Sequence, residues 1–351
     1  AHATEDATAA SCAEPAADQA DAGAEPCSET AAAAAEGAAA PQDADGPDDG
    51  ERPGRDAGAQ QQRTATICER DWAFTASRVV VVADVHGDAG RLRQALRLAN
   101  IIDEEGKRWV GGDAVFVQTG DILDRGPDGY HILVFLAQLA EQALEAGGCV
   151  VQVLGNHELM NLAGDFNYAD PEETAQFGGI MGRRHKLSPD YWLGAHLRSL
   201  PLAAQVVQQL EDGRNVSTIM SHAGVLPQFV QQTSLRAMNL MVWNWFKEAD
   251  ERAIRRLSST ESILLGYGPL WNRVYAELED ERACRLLGAA MDMLDSKRMI
   301  VGHTVQMTGR VTVRCHGALI LADTGMSSFY GGGLSLVQLD TDAGAGITLF
   351  N

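Results

Sequence analysis

Short apolar runs alternate with helix-like segments between residues 78 and 154, and this alternation restricts the fold more than any other feature. The apolar runs are Val79–Ala83, Ala114–Gln118 and Cys149–Leu154. Continuous apolar runs of this length are typical of strands that are buried on both faces. Between them, Arg91–Asn100 and residues 129–146 space their apolar side chains as an amphipathic helix does. The order strand, helix, strand, helix, strand predicts an α/β fold with parallel strands.

The rest of the chain predicts a helical region and further strands. Residues Glu172–Ser199 and Val225–Lys297 are predicted to be mainly helical. The further predicted strands are Asn215–Met220, Arg298–Val301, Arg310–Cys315, Ala318–Ala322, Leu334–Leu339 and Ile347–Phe350. Turn-like spacing and alternation in the last four predict antiparallel pairing at the C-terminal end.

Residues 1–70 differ sharply in composition from the rest. They contain 15 Asp or Glu and 4 Arg, and the first aromatic residue of the chain is Trp72. A segment with so little apolar surface cannot offset the entropy cost of ordering its backbone. We therefore predict a disordered, acidic, Ala-rich tail over residues 1–70 and a folded domain over residues 71–351. The tail is expected to influence solubility or to bind a regulatory partner.

Charge and hydropathy exclude several classes of protein. The chain carries 48 Asp or Glu against 28 Lys or Arg, a net charge of −20, so it offers no basic stripe to nucleic acid. No apolar run approaches the roughly 18–20 residues of a membrane span. The acidic N-terminal residues resemble neither a secretory signal nor a transit peptide. We expect no nucleic-acid partner, no membrane insertion and a cytoplasmic location, with an organelle left open.

The six cysteines lie at positions 12, 27, 68, 149, 284 and 315, without a CxxC pair or other close spacing. This spacing predicts neither a thiolate metal site nor a disulfide framework, and it favours a reducing compartment.

Polar residues follow five of the predicted strands at the point where each strand ends. Because ligands bind at the carboxyl ends of parallel strands, we expect these side chains to form one metal site. The candidate ligands are Asp84, His86, Asp121, Asn156, His222 and His303. Carboxylate, imidazole and amide ligands suit Mn, Fe or Zn rather than a structural zinc site built from cysteines.

The candidate ligands divide into two sets that share Asp121. Two divalent metal ions about 3.5–4 Å apart need a bridging carboxylate and can activate a water molecule between them. Asp84 and His86 would complete the first set, whereas Asn156, His222 and His303 would complete the second.

Three further side chains are assigned roles in catalysis. His157 follows the ligand Asn156 and is the candidate general acid for the leaving oxygen. Asp124 is expected to orient the imidazole of His157, and Arg125 to bind phosphoryl oxygens in a bidentate manner.

These segments resemble the phosphoprotein phosphatase group of the calcineurin-like metallophosphoesterases, whose signatures are GDxHG, GDxxDRG and GNHE. Residues 120–126 and 155–158 match the second and third signatures, while the first begins with Ala83 instead of Gly. That position does not supply a ligand. Residues 221–224, 268–273, 301–304 and 322–327 are most similar to the Shewanella-like protein phosphatases.

The resemblance covers about residues 78–340 and implies a fold and an activity. The implied fold is an αββα sandwich of mixed β-sheets flanked by helices, and the implied cofactor is two divalent metal ions, usually Mn, with Fe or Zn as alternatives. Arg273 is implied as a second phosphate ligand. The main hypothesis is a phosphatase for phospho-Ser/Thr or phospho-Tyr in a phosphoprotein. A dinucleoside polyphosphate or other small-molecule phosphoesterase is the alternative, and a non-catalytic binding module is the third hypothesis.

Overall fold

The computed structural model describes residues 72–210, 212–231, 233–257, 263–341 and 346–350. The predicted tail over residues 1–70 lies outside them. The strands are β1 Ala73–Thr75, β2 Arg78–Val82, β3 Val115–Gln118, β4 Cys149–Gln152, β5 Ala203–Gln209, β6 Asn215–Ser221, β7 Arg298–Val301, β8 Thr312–Arg314, β9 Leu319–Leu321, β10 Leu336–Asp340 and β11 Gly346–Phe350. The helices are α1 Ala89–Leu98, α2 Gly129–Glu145, α3 Asn156–Leu162, α4 Pro171–Gln176, α5 Gly179–Lys186, α6 Trp192–Ser199, α7 Pro227–Val230, α8 Leu235–Glu248, α9 Glu251–Arg255, α10 Val274–Glu277 and α11 Asp280–Met293.

The strands form two mixed sheets. One has the order β1-β5-β6-β7-β9-β8 and the other the order β11-β10-β2-β3-β4. Strands β2, β3 and β4 are parallel, which confirms the predicted α/β layout. The predicted antiparallel pairing is confirmed for β8 with β9 and for β10 with β11. Strand β9 also pairs in parallel with β7, and β1 and β5 were not predicted.

The residues of β2 alternate between two hydrophobic clusters. Val81 packs in a cluster with Met220 and Ile300 of the other sheet, so it lies between the two sheets. Val80 packs in a second cluster with Leu96 of α1, on the helical side. Since both faces of β2 are covered, its sequence is continuously apolar rather than alternating. Two facing sheets with helices outside them confirm the predicted sandwich.

A lobe of short helices connects β4 to β5. Helices α4, α5 and α6 cover most of the segment that was predicted to be helical over Glu172–Ser199. Asp170 begins α4 by accepting hydrogen bonds from the backbone N–H groups of Glu172 and Glu173. This cap sets the start of the helix that carries the buried Glu173.

The prediction that disulfides are absent is wrong. Cys284 on α11 and Cys315, which follows β8, form a disulfide, with their Cα atoms 5.3 Å apart. The two residues are 31 positions apart in sequence, and only the packing of α11 beside the β8 edge of the six-stranded sheet brings them together. The lack of closely spaced cysteines therefore does not exclude disulfides in this chain. The argument for a reducing compartment, which depended on that exclusion, no longer holds. Cys149 is buried and is also disulfide-bonded.

Across the described ranges, no helix combines the length and the apolar character that crossing a membrane requires.

Candidate active site

The carboxylate of Asp121 lies at the centre of three buried histidines. Its Oδ2 atom is 3.4 Å from Nε2 of His222, 3.7 Å from Nε2 of His86 and 4.0 Å from Nε2 of His157. Two groups with mutually close ligand atoms share this carboxylate, and either could hold a metal ion. One group is made of His86, Asp121 and His157. The other is made of Asp121, His222 and His303. Asp121 thus occupies the position expected of a bridging ligand.

The remaining candidate ligands contact the same cluster. Oδ1 of Asn156 lies 2.8 Å from Nε2 of His222, which is 3.1 Å from Nδ1 of His303. The backbone N–H of His303 donates to both carboxylate oxygens of Asp84 at 3.1 Å. Gly302 permits this approach, because a Cβ atom there would lie 2.1 Å from Oδ1 of Asp84. The structure therefore brings all six predicted ligands together.

Backbone carbonyls orient the imidazole rings toward the cluster. Nδ1 of His86 bonds the carbonyl of Leu123 at 3.2 Å, and Nδ1 of His222 bonds the carbonyl of Thr119 at 3.0 Å. In His303 the arrangement is reversed, since Nε2 bonds the carbonyl of Trp271 at 3.0 Å. In each ring the opposite nitrogen faces the cluster, as in metal-binding histidines.

The loops that carry these side chains have an unusual backbone. Five non-glycine residues of the site have positive φ angles between 40° and 70°: His86, Asp121, Asp124, Arg125 and His303. Such conformations are uncommon for side-chain-bearing residues and concentrate at functional sites. They turn the chain sharply after β2, β3 and β7.

Burial and charge crowding shift the ionisation of the carboxylates. Burial raises the pKa of Asp84 well above its usual range, and the neighbouring Asp323 and Asp121 add to the rise. Burial also raises the pKa of Asp323 to about 6. Burial opposes the ionisation of Asp121, but His222 and His157 hold the pKa of its carboxyl well below its usual range. Crowded carboxylates of this kind are stabilised by bound cations.

Two of the histidines that face the cluster, His86 and His303, are neutral at physiological pH. Burial lowers the pKa of His86 to about 4 and that of His303 to about 2. A neutral imidazole is the form that ligates a metal ion. Carboxylate, imidazole and amide donors arranged in this way fit two divalent metal ions.

His157 differs from the other histidines because a carboxylate holds it. Its Nδ1 atom lies 2.7 Å from Oδ2 of Asp124, so Nε2 is the nitrogen that faces the cluster. Its backbone N–H donates to Oδ1 of Asp121 at 3.0 Å. Burial opposes protonation, but Asp121 and Asp124 raise the pKa of His157 above its usual value. The imidazole of His157 is therefore protonated more readily than that of an ordinary histidine.

Glu158 stabilises the loop that follows β3. Its Oε2 atom accepts the N–H groups of Asp121 and Gly155, and its Oε1 atom accepts those of Ile122 and Leu123, at 2.8–3.1 Å. Four backbone bonds to one buried carboxylate fix the loop's geometry. Glu158 is thus a structural carboxylate.

The guanidinium group of Arg125 lies against aromatic rings at the edge of the site. Its Cζ atom is 4.3 Å from the ring centre of Tyr168 and 5.2 Å from that of Phe329. Within the described residues, its buried Nε atom has no hydrogen-bond partner. A bound anion could supply that partner.

Arg273, which immediately precedes α10, also reaches the site. Its Nη1 atom donates to the backbone carbonyl of His303 at 3.0 Å and to Oγ1 of Thr304 at 3.3 Å. These bonds hold the exposed guanidinium beside His303.

Several residues of the site were not predicted. Asp323 is buried near Asp84 and Asp121, and it follows β9 at the strand end, so the strand-end pattern could have identified it. Tyr330 lies with its ring centre 5.6 Å from that of His86. No local pattern marks Tyr330, because its contact depends on how the loop between β9 and β10 packs against the loop that follows β2.

Comparison with known proteins assigns the family. Residues 77–307 match the family described as Calcineurin-like phosphoesterase, which is more than half of the chain. The chain therefore belongs to the calcineurin-like phosphoesterase family and is a phosphoesterase enzyme. Membership of this family implies divalent metal ions, and the cluster around Asp121 supplies candidate ligands for them.

Within this family, the predicted resemblance to Shewanella-like phosphatases is confirmed. Shewanella-like protein phosphatase 1 of Plasmodium berghei is 30% identical, over 72% of this chain and 68% of the relative. Shewanella-like protein phosphatase 2 of Arabidopsis thaliana is 29% identical, over 78% of each chain. Among solved structures, a cold-active protein tyrosine phosphatase has a TM-score of 0.64 and 26% identity, over 76% of this chain and 75% of that one.

Proposed function

We propose that this chain is a metal-dependent protein phosphatase that hydrolyses phosphotyrosine in proteins by direct attack of water on phosphorus. The observation that carries the proposal is the position of Arg125. Its guanidinium lacks a hydrogen-bond partner at Nε and lies among aromatic rings beside the Asp121 cluster. A phosphoryl group bound there would satisfy Arg125 and face His157.

An aromatic rim supports phosphotyrosine as the substrate class. Tyr168, Phe329 and Tyr330 lie near Arg125, His157 and His86, and they are 39%, 54% and 40% exposed. Exposed rings next to a phosphate site favour a flat aromatic leaving group, because aromatic pairs gain contact energy beyond area burial. The similarity to a solved protein tyrosine phosphatase supports the same substrate class.

The proposed mechanism assigns one role to each side chain. Asp84, His86 and Asp121 would hold one metal ion, and Asp121, Asn156, His222 and His303 the other. Two metal ions supply positive charge for the phosphoryl oxygens and favour ionisation of the attacking water. Arg125 would bind two phosphoryl oxygens, with Arg273 as a further ligand. We propose Mn as the metal, with Fe and Zn as the alternatives to be compared.

His157 would protonate the leaving oxygen through Nε2, because Nδ1 is engaged by Asp124. Glu158 keeps Asp121 and the following residues in place through its four backbone bonds.

A matched set of substrates tests the proposal. One peptide sequence carrying phospho-Tyr, phospho-Ser or phospho-Thr at the same position, and diadenosine tetraphosphate, would be compared by kcat/KM. The chain would first be stripped with a chelator and reloaded with Mn, Fe or Zn. We expect the highest kcat/KM with the phospho-Tyr peptide and Mn. Preference for phospho-Ser or phospho-Thr would contradict the substrate class, and preference for the nucleotide would contradict a protein substrate.

A further inference from the structure

Arg183 on α5 is fully buried, and all of its nitrogen atoms are hydrogen-bonded. Nη2 donates to Oδ1 of Asp124 at 2.9 Å, and Nη1 donates to Oε2 of Glu173 at 2.8 Å. Nε and Nη2 also donate to Oδ1 of Asn161 at 2.8 and 2.6 Å. The guanidinium therefore joins the helical lobe to the loop after β3.

Asn161 completes the same network from α3. Its Nδ2 atom donates to both oxygens of Asp124, at 2.9 and 3.0 Å, and to the backbone carbonyl of His157 at 2.9 Å. The carboxylate of Asp124 thus accepts hydrogen bonds from His157, Asn161 and Arg183. Three donors from two helices, His157 and Asn161 on α3 and Arg183 on α5, leave this carboxylate a single orientation.

We infer that Arg183 is a positioning residue for phosphoester hydrolysis, which holds the carboxylate of Asp124 in the orientation that aligns His157 with the leaving oxygen. This inference rests on the role proposed for His157.

The shared guanidinium distinguishes this arrangement from an ordinary buried ion pair. A pair made only by Arg183 and Glu173 would stabilise the lobe without reaching the site. Here the same group also contacts Asp124, which is buried beside His157. The Glu173 side chain supports Arg183 from behind and packs so tightly on α2 that a Cβ atom at Gly129 would lie 2.0 Å from its Oε1 atom.

Substitution of Arg183 should impair the step in which the leaving oxygen is protonated. Phenyl phosphate has a basic leaving group that needs this proton, whereas 4-nitrophenyl phosphate has a weakly basic one that needs it less. In the metal-loaded full chain, R183M should lower kcat for phenyl phosphate about tenfold more than kcat for 4-nitrophenyl phosphate. KM and bound metal per chain should be unchanged.

Two further variants make the experiment decisive. R183K retains the charge but cannot bind Asp124, Asn161 and Glu173 at once. We therefore expect R183K to lower kcat more for phenyl phosphate than for 4-nitrophenyl phosphate. This variant tests the inference even if R183M fails to fold. The adjacent Arg184 is half-buried and pairs with Glu251, away from Asp124, and R184M should match the wild type for both esters.

The inference would be overturned if the Arg183 variants lost kcat equally for both esters or lost bound metal. Full activity of R183K would also overturn it. If the wild type and R184M hydrolyse neither ester, the proposed function itself fails.

Discussion

Nδ1 of His157 lies 2.7 Å from Oδ2 of Asp124, and both side chains are buried. The contact joins the start of α3 to the loop after β3, and it leaves Nε2 of His157 facing the carboxylate of Asp121 at 4.0 Å. One hydrogen bond thus decides which nitrogen of the ring is available for chemistry.

Replacing His157 with Asn should reduce kcat by about 10²–10⁴, because the leaving oxygen loses its proton donor. Metal content should remain that of the wild type, since His157 is proposed not to be a ligand. Steady-state kinetics and elemental analysis would measure both quantities. The control is His131→Asn, on the exposed surface of α2. Loss of metal in His157→Asn would instead identify His157 as a ligand.

Replacing Asp121 with Asn should abolish both the activity and the binding of two metal ions side by side, because a neutral amide is a poor bridge between two cations. Elemental analysis after loading and desalting should show fewer metal ions per chain than in the wild type. The exposed Asp113→Asn variant serves as the control. Full activity in Asp121→Asn would refute the bridging role.

Replacing Arg125 with Lys should lower kcat/KM by about 10–100-fold, the usual value of a hydrogen bond to a charged group. The point charge of Lys cannot reproduce bidentate binding of phosphoryl oxygens. Inhibition by inorganic phosphate should weaken in parallel, and exposed Arg252→Lys should leave both quantities unchanged. Unaltered phosphate inhibition would argue against contact with Arg125.

Glu173 should make the free energy of unfolding depend on pH. Burial raises the pKa of Glu173 to about 7 in the folded chain, above its ordinary value of 4.5. Between these values the folded state binds more protons than the unfolded state, so stability falls as pH rises. A glutamine at this position does not ionise. As pH rises from 4.5 to about 7, the free energy of unfolding of Glu173→Gln should therefore increase relative to that of the wild type, by on the order of 1–3 kcal/mol.

Denaturant titrations at several pH values would measure this difference. Glu172→Gln, exposed on the same helix, should follow the wild type. A stability difference for Glu173→Gln that does not change with pH would exclude this ionisation.

Replacing Cys284 with Ser should lower the free energy of unfolding by about 3–4 kcal/mol, because the disulfide closes a loop that spans 31 positions. The double variant with Cys315→Ser should lose the same amount, since one thiol alone cannot close the loop. Chemical denaturation would show whether the two variants coincide. An unchanged unfolding midpoint would indicate that the disulfide does not form.

Much of the fold was predictable because β2, β3 and β4 are continuous apolar runs separated by amphipathic helices. Strand β5 was missed because its residues, AAQVVQQ, form neither a continuous apolar run nor a strict alternation of apolar and polar side chains. Gln208 is nevertheless buried, and its side chain bonds the backbone carbonyls of Ser77 and Leu339. Polar residues of this kind become buried only after the two sheets pack.

The candidate site was also largely predictable, since its residues follow strand ends within a few positions. Asp84 and Asp121 come from one sheet, whereas His222 and His303 come from the other. Their residue types and strand-end positions predicted one metal site, but the sequence did not show that two different sheets supply its ligands. Asp323 was missed despite its strand-end position, because it lies outside the recognised ligand set.

The sequence by itself determined most of the strands, the ligand types and the family resemblance, because local periodicity and short signatures encode them. The tertiary structure alone decided the Cys284–Cys315 disulfide, the aromatic rim and the placement of Arg183 behind Asp124. These contacts join residues far apart in sequence. They form only when the hydrophobic faces of both sheets and the helical lobe pack, which no local pattern specifies.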